Sequence, residues 1–377
     1  EKAYKSSAVD RANVKGNRSG KLMEKARISG LQLFLLILGF LFGSTVILNP
    51  ATGARNDGWL AILIGGTGGT LLILLYASIS LLNPSKTLVD ILRDRLGRFI
   101  GNIISVFYIW YFIHLASLVL RNFGSFIIST TYPQTPLEVL LIVFILVIMY
   151  SLNSGIEVMG RVAEIIVPAV PVIAVIISLG ILTTHDFTAF LPILGNGIRP
   201  VLKASFNLVT FPYGEAVAFL MIFPYLNRRE NLKKVSILSA LSSVVLFLFI
   251  FFRDIIVLGS HFIHSATFVP HLTSVLIPSI NLEPLFDVNL SIGGGVKVVV
   301  CMYAATNAIN QILGAGDYRK FVTPVALFCV VLAIWVYENV FEMFHWAEKI
   351  WPYYSIPFQF VIPLMLLFLS LINRDKN

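Results

Sequence analysis

Apolar runs of about 20 residues, the length that carries an α-helix across a bilayer, recur along the whole chain; Leu31–Leu48, Leu60–Leu82 and Val235–Phe252 are clear cases. Short polar stretches separate them. Strands of a membrane barrel would alternate lipid-facing and lumen-facing positions, whereas Val139–Tyr150 is apolar almost without a break. The pattern predicts about ten transmembrane helices, at 30–49, 58–82, 99–130, 136–152, 162–182, 204–225, 234–258, 286–313, 320–339 and 351–373. An all-α integral membrane protein is the expected fold class. Its parts are a polar segment 1–27, a ten-helix domain 28–373 with halves at 28–182 and 204–373, and a tail 374–377.

Composition excludes a water-soluble domain: of 377 residues 57% are hydrophobic and 13% charged, where a soluble domain carries roughly a quarter charged residues. Charge then orients the spans. With the N-terminus in the cytoplasm, only Arg55, Arg199, Lys203 and Lys349 fall outside, and Arg121, Arg253 and Lys297 fall within spans. All other members of the set of 28 lysines and arginines are cytoplasmic, as the positive-inside rule requires. Both termini are therefore predicted to be cytoplasmic, and the +8 net charge calls for no nucleic acid partner. Residues 1–22 lack the apolar core of a signal peptide and are expected to be disordered, with Met23 reading as a natural start. Segment 84–98 predicts an amphipathic interfacial helix, and 259–285 a partly helical lid over the outer mouth. Neither Cys301 and Cys329 nor the six histidines are spaced to suggest a disulfide or a metal, and no cofactor is expected.

Two spans carry features that a plain lipid-facing helix avoids. Span one runs through Gly39 and Gly43-Ser44-Thr45 to Asn49-Pro50, and span six through Phe211-Pro212-Tyr213-Gly214-Glu215. Proline removes a backbone donor and glycine lowers helix propensity, so both spans are expected to break. Each alone is compatible with an ordinary kink. Together they occupy corresponding positions in two five-helix halves, the pattern that marks the binding site of an inverted-repeat transporter.

Half-helix ends and unwound carbonyls suit the carboxylate and ammonium of an amino acid. Gly43, Ser44, Thr45, Phe211, Tyr213 and Gly214 are accordingly the first candidates for ligand contact, chiefly through their backbone. Glu215, an acid at bilayer depth, is either a ligand or proton group or a buried acid that locks the break. Tyr111, His114, Tyr303 and Asn307 stand at mid-depth on spans three and eight, as pocket walls or as helix packing. Of the other intramembrane charges, Arg121 is deep enough to pair with Glu215 or a free carbonyl, while Arg253, Asp254 and Lys297 are expected to snorkel to the interface. Glu157 and Glu164 flank Arg161 at helix-surface pairing distance.

A set of short matches runs in order along the chain: Lys25-Ala-Arg-Ile-Ser-Gly-Leu-Gln-Leu, Asp57-Gly-Trp-Leu, Lys86-Thr-Leu-Val-Asp-Ile-Leu, Leu120-Arg-Asn-Phe, Gly155-Ile-Glu-Val, Arg161-Val-Ala-Glu, Phe211-Pro-Tyr-Gly-Glu, Gly316-Asp-Tyr-Arg and Trp351-Pro. By these it resembles the spore-germination permease family, the B subunits of nutrient germinant receptors, within the amino acid–polyamine–organocation superfamily. The resemblance implies the ten-helix inverted repeat with discontinuous helices 1 and 6. It also implies a nutrient-sensing role in the inner membrane of the spore, beside a larger A subunit and a lipoprotein C subunit. The alternative is a proton-coupled secondary amino-acid transporter with the same pocket. An enzyme is not expected, since no catalytic residues, nucleophile elbow or phosphate loop stand out.

Overall fold

Ser29 starts the first span with a reciprocal cap: its hydroxyl accepts from the Gln32 amide at 3.1 Å and the Gln32 side chain accepts from the Ser29 amide at 2.9 Å. Helix α1 (Gly30–Phe42) ends at Gly43, where the backbone leaves helical space, and a 3-10 turn over Gly43–Val46 completes the crossing. Residues 26–179, 187–276 and 282–372 are described in this computed structural model. The predicted segment 1–22, the link 180–186 and the tail from 373 lie outside the described residues.

Helices α2 (Gly58–Leu82), α4 (Arg98–Thr130) and α5 (Leu137–Ser154) follow the predicted spans closely. Between α2 and α4, α3 (Leu88–Leu96) has the expected amphipathic pattern, but it buries Leu88, Val89, Ile91 and Leu92 against protein. A Cβ on Gly101 would lie 2.7 Å from the Arg93 Cα, so α3 and α4 meet backbone to backbone there. Arg93 donates to Asn102 at 2.6 Å and to the Gln311 carbonyl at 3.1 Å. The amphipathic helix is thus present, with its apolar stripe covered by protein; such a stripe reads the same whether a helix or a bilayer covers it.

Span five begins earlier than predicted because Gly155, at φ +90°, turns the chain at once into α6 (Ile156–Ile166); Pro168 then interrupts it before α7 (Ala169–Leu179). Span six consists of α8 (Ile198–Leu208), a widened π turn over Val209–Tyr213, and 3-10 turns over Gly214–Met221 and Phe223–Tyr225. Past it, α9 (Leu232–Ser265) runs beyond the predicted end and bends at Gly259, and the lid segment contains α10 (Val269–Val275). The remaining spans are α11 (Glu283–Leu313), α12 (Val322–Trp335) and a last crossing that starts earlier than predicted, at α13 (Val340–His345). It continues through α14 (Trp351–Tyr354) and α15 (Ile362–Ile372) with a 41° bend near Pro357.

Among the described residues seven helical stretches are long and apolar enough to cross a membrane, and the bent pair 340–354 and 357–372 supplies an eighth. Broken spans one and six complete the ten. Leu71, Val147, Ile165 and Trp335 expose large apolar side chains around the bundle, a surface that suits lipid and not water. Among the described residues the only β-pairing is an isolated parallel bridge between Ile28 and Leu226. Its hydrogen bonds, Ile28 amide to Tyr225 carbonyl at 2.9 Å and Asn227 amide to Ile28 carbonyl at 3.0 Å, tie the start of span one to the end of span six at the basic end of the bundle.

Candidate functional site

Lys297 sits at the middle of α11 with its side chain fully buried, and its ammonium pairs with the equally buried Glu215 carboxylate just past the span-six break. The Lys297 Nζ also lies 4.5 Å from the ring centre of Phe211 and 5.2 Å from that of Phe40. Phe40 belongs to the end of α1, and Phe211 is the residue at which span six leaves helical geometry, at φ −142° and ψ 110°. Gly43 completes the cluster: a Cβ there would come 2.7 Å from the Lys297 Cδ. Gly293, one turn before the lysine, lets α11 approach so closely that a Cβ on it would lie 3.0 Å from the Gly43 nitrogen. Both breaks therefore converge on one buried ion pair, where an unpaired charge would be prohibitively expensive.

The expectation that Lys297, Arg253 and Asp254 snorkel is overturned. Lys297 falls at the centre of a 31-residue helix whose start lies three residues before the predicted one. Asp254 is fully buried and accepts from Arg253 at 2.6 Å and from the Thr273 hydroxyl of α10 at 2.9 Å, so the pair fastens the lid segment to α9. Arg121 does not reach Glu215; it donates to the Ala333 and Ile334 carbonyls at 3.2 and 2.8 Å, where a cation meets the negative end of α12. Glu164 bonds Gln32 at 3.2 Å instead of pairing with Arg161, whereas Glu157 does face Arg161 at 3.9 Å.

Backbone freed at the span-six break is taken up by Gln359 on the last crossing, whose Nε2 donates to the Thr210 carbonyl and to the Tyr111 hydroxyl, each at 2.9 Å. The Tyr76 hydroxyl bridges the Gly214 and Gln359 carbonyls at 3.0 and 2.8 Å. A Cβ at 214 would stand 2.0 Å from Gln359 Oε1, so any larger residue there must displace the Gln359 carboxamide. Tyr111 thus joins the breaks through Gln359. Tyr213 turns its ring toward α2 and α9, over Gly69 and bonded to Ser243 at 3.0 Å. His114 lies elsewhere, stacked on Trp110 and edge-on to Tyr354. Tyr303 and Asn307 meet Tyr225 toward the basic end. Thr45 bonds its own Leu41 carbonyl at 2.9 Å, and the Ser44 side chain lies outside the described residues. Gln359, Thr210, Tyr76 and Phe40 were missed in the sequence; the Gly293-Gly294-Gly295 run before Lys297 and the Pro357 beside Gln359 were the available signals.

At the end opposite the basic face, a cavity of about 670 Å³ opens between Asn49, Asn207, Pro270 and Phe344, and Phe211 is the residue it shares with the breaks. A small solute entering there meets half-helix ends and a buried ammonium–carboxylate pair one side chain away. Among the described residues no three His, Cys, Asp or Glu side chains converge as a metal site.

A ten-span helical bundle whose first and sixth members break around one buried ion pair is a permease-like membrane protein. The chain belongs to the spore germination protein family, which matches it over residues 27–341. It is 31% identical to spore germination protein KB of Bacillus subtilis (strain 168) over 369 residues, 94% of this chain and 97% of that protein. Spore germination protein B2 of the same organism is 21% identical, over 92% of this chain and 96% of its own length. Among solved structures, Mhp1, a nucleobase-cation-symport-1 family transporter in a closed conformation with bromovinylhydantoin bound, superposes with a TM-score of 0.67 at 12% identity, covering 91% of this chain and 78% of that one. MhsT in complex with L-phenylalanine gives 0.63 at 13% identity, covering 93% and 99%. These two share the fold.

Proposed function

We propose that the protein is a nutrient-sensing B-type subunit of a germinant receptor, binding a small germinant, an amino acid, between the breaks of spans one and six. The convergence of both breaks on the buried Lys297–Glu215 pair beneath the cavity carries this proposal. An α-amino acid brings one carboxylate and one ammonium, the two charges that pair and the half-helix dipoles can satisfy. Backbone at Gly43 to Thr45 and at Phe211 to Gly214 supplies the contacts, with Glu215 facing the ammonium. Occupancy shifts a conformational equilibrium that an A subunit and a lipoprotein C subunit read in the inner membrane of the spore. Both termini lie on the cytoplasmic side.

Gly214→Val tests the site: in spores carrying the assembled receptor, losing one charge-assisted hydrogen bond to the ligand, about 1.5–3 kcal/mol, raises the half-maximal nutrient concentration roughly tenfold or more. An unchanged dose–response at equal receptor abundance would remove the breaks as the ligand site. The competing function, proton-coupled amino-acid transport, is separated by uptake of labelled amino acid into vesicles holding the protein alone. Sustained uptake driven by a proton gradient would favour the transporter over the sensor.

A further inference from the structure

At the end of the bundle opposite the basic face, lysine and arginine are scarce: Arg55, Arg199, Lys203 and Lys349. Three of these four gather at one place. Arg199 and Lys203 line the 670 Å³ cavity, and Lys349 lies 3.1 Å from the carboxylate of Glu348 in its wall. Other acids near that end, Asp57, Glu138, Glu283, Asp287, Glu338 and Glu342 among them, do not line it; among the described residues Glu348 is the cavity's one carboxylate. With Arg199 and Lys203 lining it against the single carboxylate of Glu348, the cleft is net positive and concentrates anions.

Lys203 already holds a carboxylate at this place. Its ammonium lies 2.7 Å from Glu348 Oε1, with the two side chains 50% and 52% exposed. An ion pair this open contributes little to stability and exchanges readily with a competing ion. We propose that the vestibule is a peripheral binding site for small carboxylate-bearing solutes, in which Arg199 and Lys203 take the carboxylate and Glu348 is the tethered carboxylate it displaces. Once released, Glu348 faces an ammonium if the solute carries one. The Asn49 and Asn207 amides offer further polar contacts, and Ile47, Leu48 and Phe344 an apolar wall. This site lies outward of the buried ion pair and meets the breaks at Phe211, but its test reads the vestibule alone.

Asn196 lines the same cavity, and Cys301 and Cys329 are both fully buried, so Asn196→Cys provides one reactive thiol in the full-length protein held in neutral detergent. Its modification is timed with a sulfonate-bearing and a trimethylammonium-bearing methanethiosulfonate. The sulfonate reagent is expected to react faster by about threefold or more relative to a free thiol. That preference disappears in Arg199→Gln/Lys203→Gln and grows in Glu348→Gln. Sodium propionate and glycine, at one fixed ionic strength, are expected to slow the sulfonate reagent where methylammonium chloride does not. Stronger protection by glycine identifies zwitterions as the preferred solutes, and stronger protection by propionate identifies simple carboxylates. Equal protection by methylammonium chloride, which signals screening alone, or an unchanged reagent preference in the double variant, overturns the site. Should the variants fail to fold, the protection series on Asn196→Cys alone decides.

Discussion

Lys297 shows what a single residue contributes to this fold, because its charge is tolerable only while Glu215 stays opposite. Removing one partner strands the other in a fully buried site, and breaking a buried pair in this way costs about 3–5 kcal/mol. Lys297→Met and Glu215→Gln are therefore each expected to lower the melting temperature of the detergent-solubilised protein sharply. Combining them should restore most of the loss, since no bare charge remains. A double variant as unstable as the worse single one would mean that the pair does not hold the breaks together. Glu215 was visible in the sequence because proline and glycine mark the break just before it. Lys297 was visible only as a lone charge in an apolar run: its depth followed from an uncertain helix start, and its partner is distant in the chain. Pairing between residues distant in the sequence leaves no trace in local periodicity, which is also why Arg121 was left with two partners, Glu215 or a free carbonyl, of which the carbonyls at the end of α12 are the ones it meets.

Whole spans are more legible than their breaks, because about 20 apolar residues announce a crossing wherever they occur, while an unwound turn shows only as a proline or glycine. Spans two, three and four were read nearly to the residue, with α2, α4 and α5 in the predicted places. The last crossing was cut short because the widened turn over Trp346–Ile350 brings Glu348 and Lys349 into a membrane helix, and a second widened turn, Pro357–Val361 inside the predicted span, carries a polar residue as well. One of those residues, Gln359, stitches the last crossing to the span-six break, and a double-mutant cycle measures that seam. Gly214→Ala drives its methyl into the Gln359 carboxamide and displaces the bonds to Thr210 and Tyr111, at about 1–3 kcal/mol. Gln359→Ala leaves the Thr210 carbonyl unpaired at a similar cost. Together the two changes should cost clearly less than their sum, because alanine at 359 makes room for the methyl. Additive losses in unfolding midpoint would place the two residues out of contact.

At the scale of the whole molecule, two independent asymmetries run along the bundle axis. Lysine and arginine crowd one end, which the positive-inside rule assigns to the cytoplasm, and the 670 Å³ cavity opens at the other. Only the first was visible in the sequence, since a cavity arises from how broken spans meet. At the basic end the bundle is closed by backbone: the Ile28–Leu226 bridge locks spans one and six together, and Arg229 donates to the Ser80 carbonyl at 2.9 Å. In the function proposed above, nutrient enters through the cavity and the report is made at the basic end, where spans one and six are tied together. Single cysteines at Arg228 and Glu338, both exposed and at opposite ends, test the orientation against a background of two buried native thiols. In intact cells a membrane-impermeant maleimide is expected to label Glu338→Cys and to spare Arg228→Cys until the membrane is permeabilised. The Asn196→Cys protein should behave as Glu338→Cys does, because the cavity it lines opens on the same side. Labelling of Arg228→Cys in sealed cells would invert the orientation and place the mouth of the cavity in the cytoplasm. A sensor of external nutrient could not work in that arrangement, whatever its pocket binds.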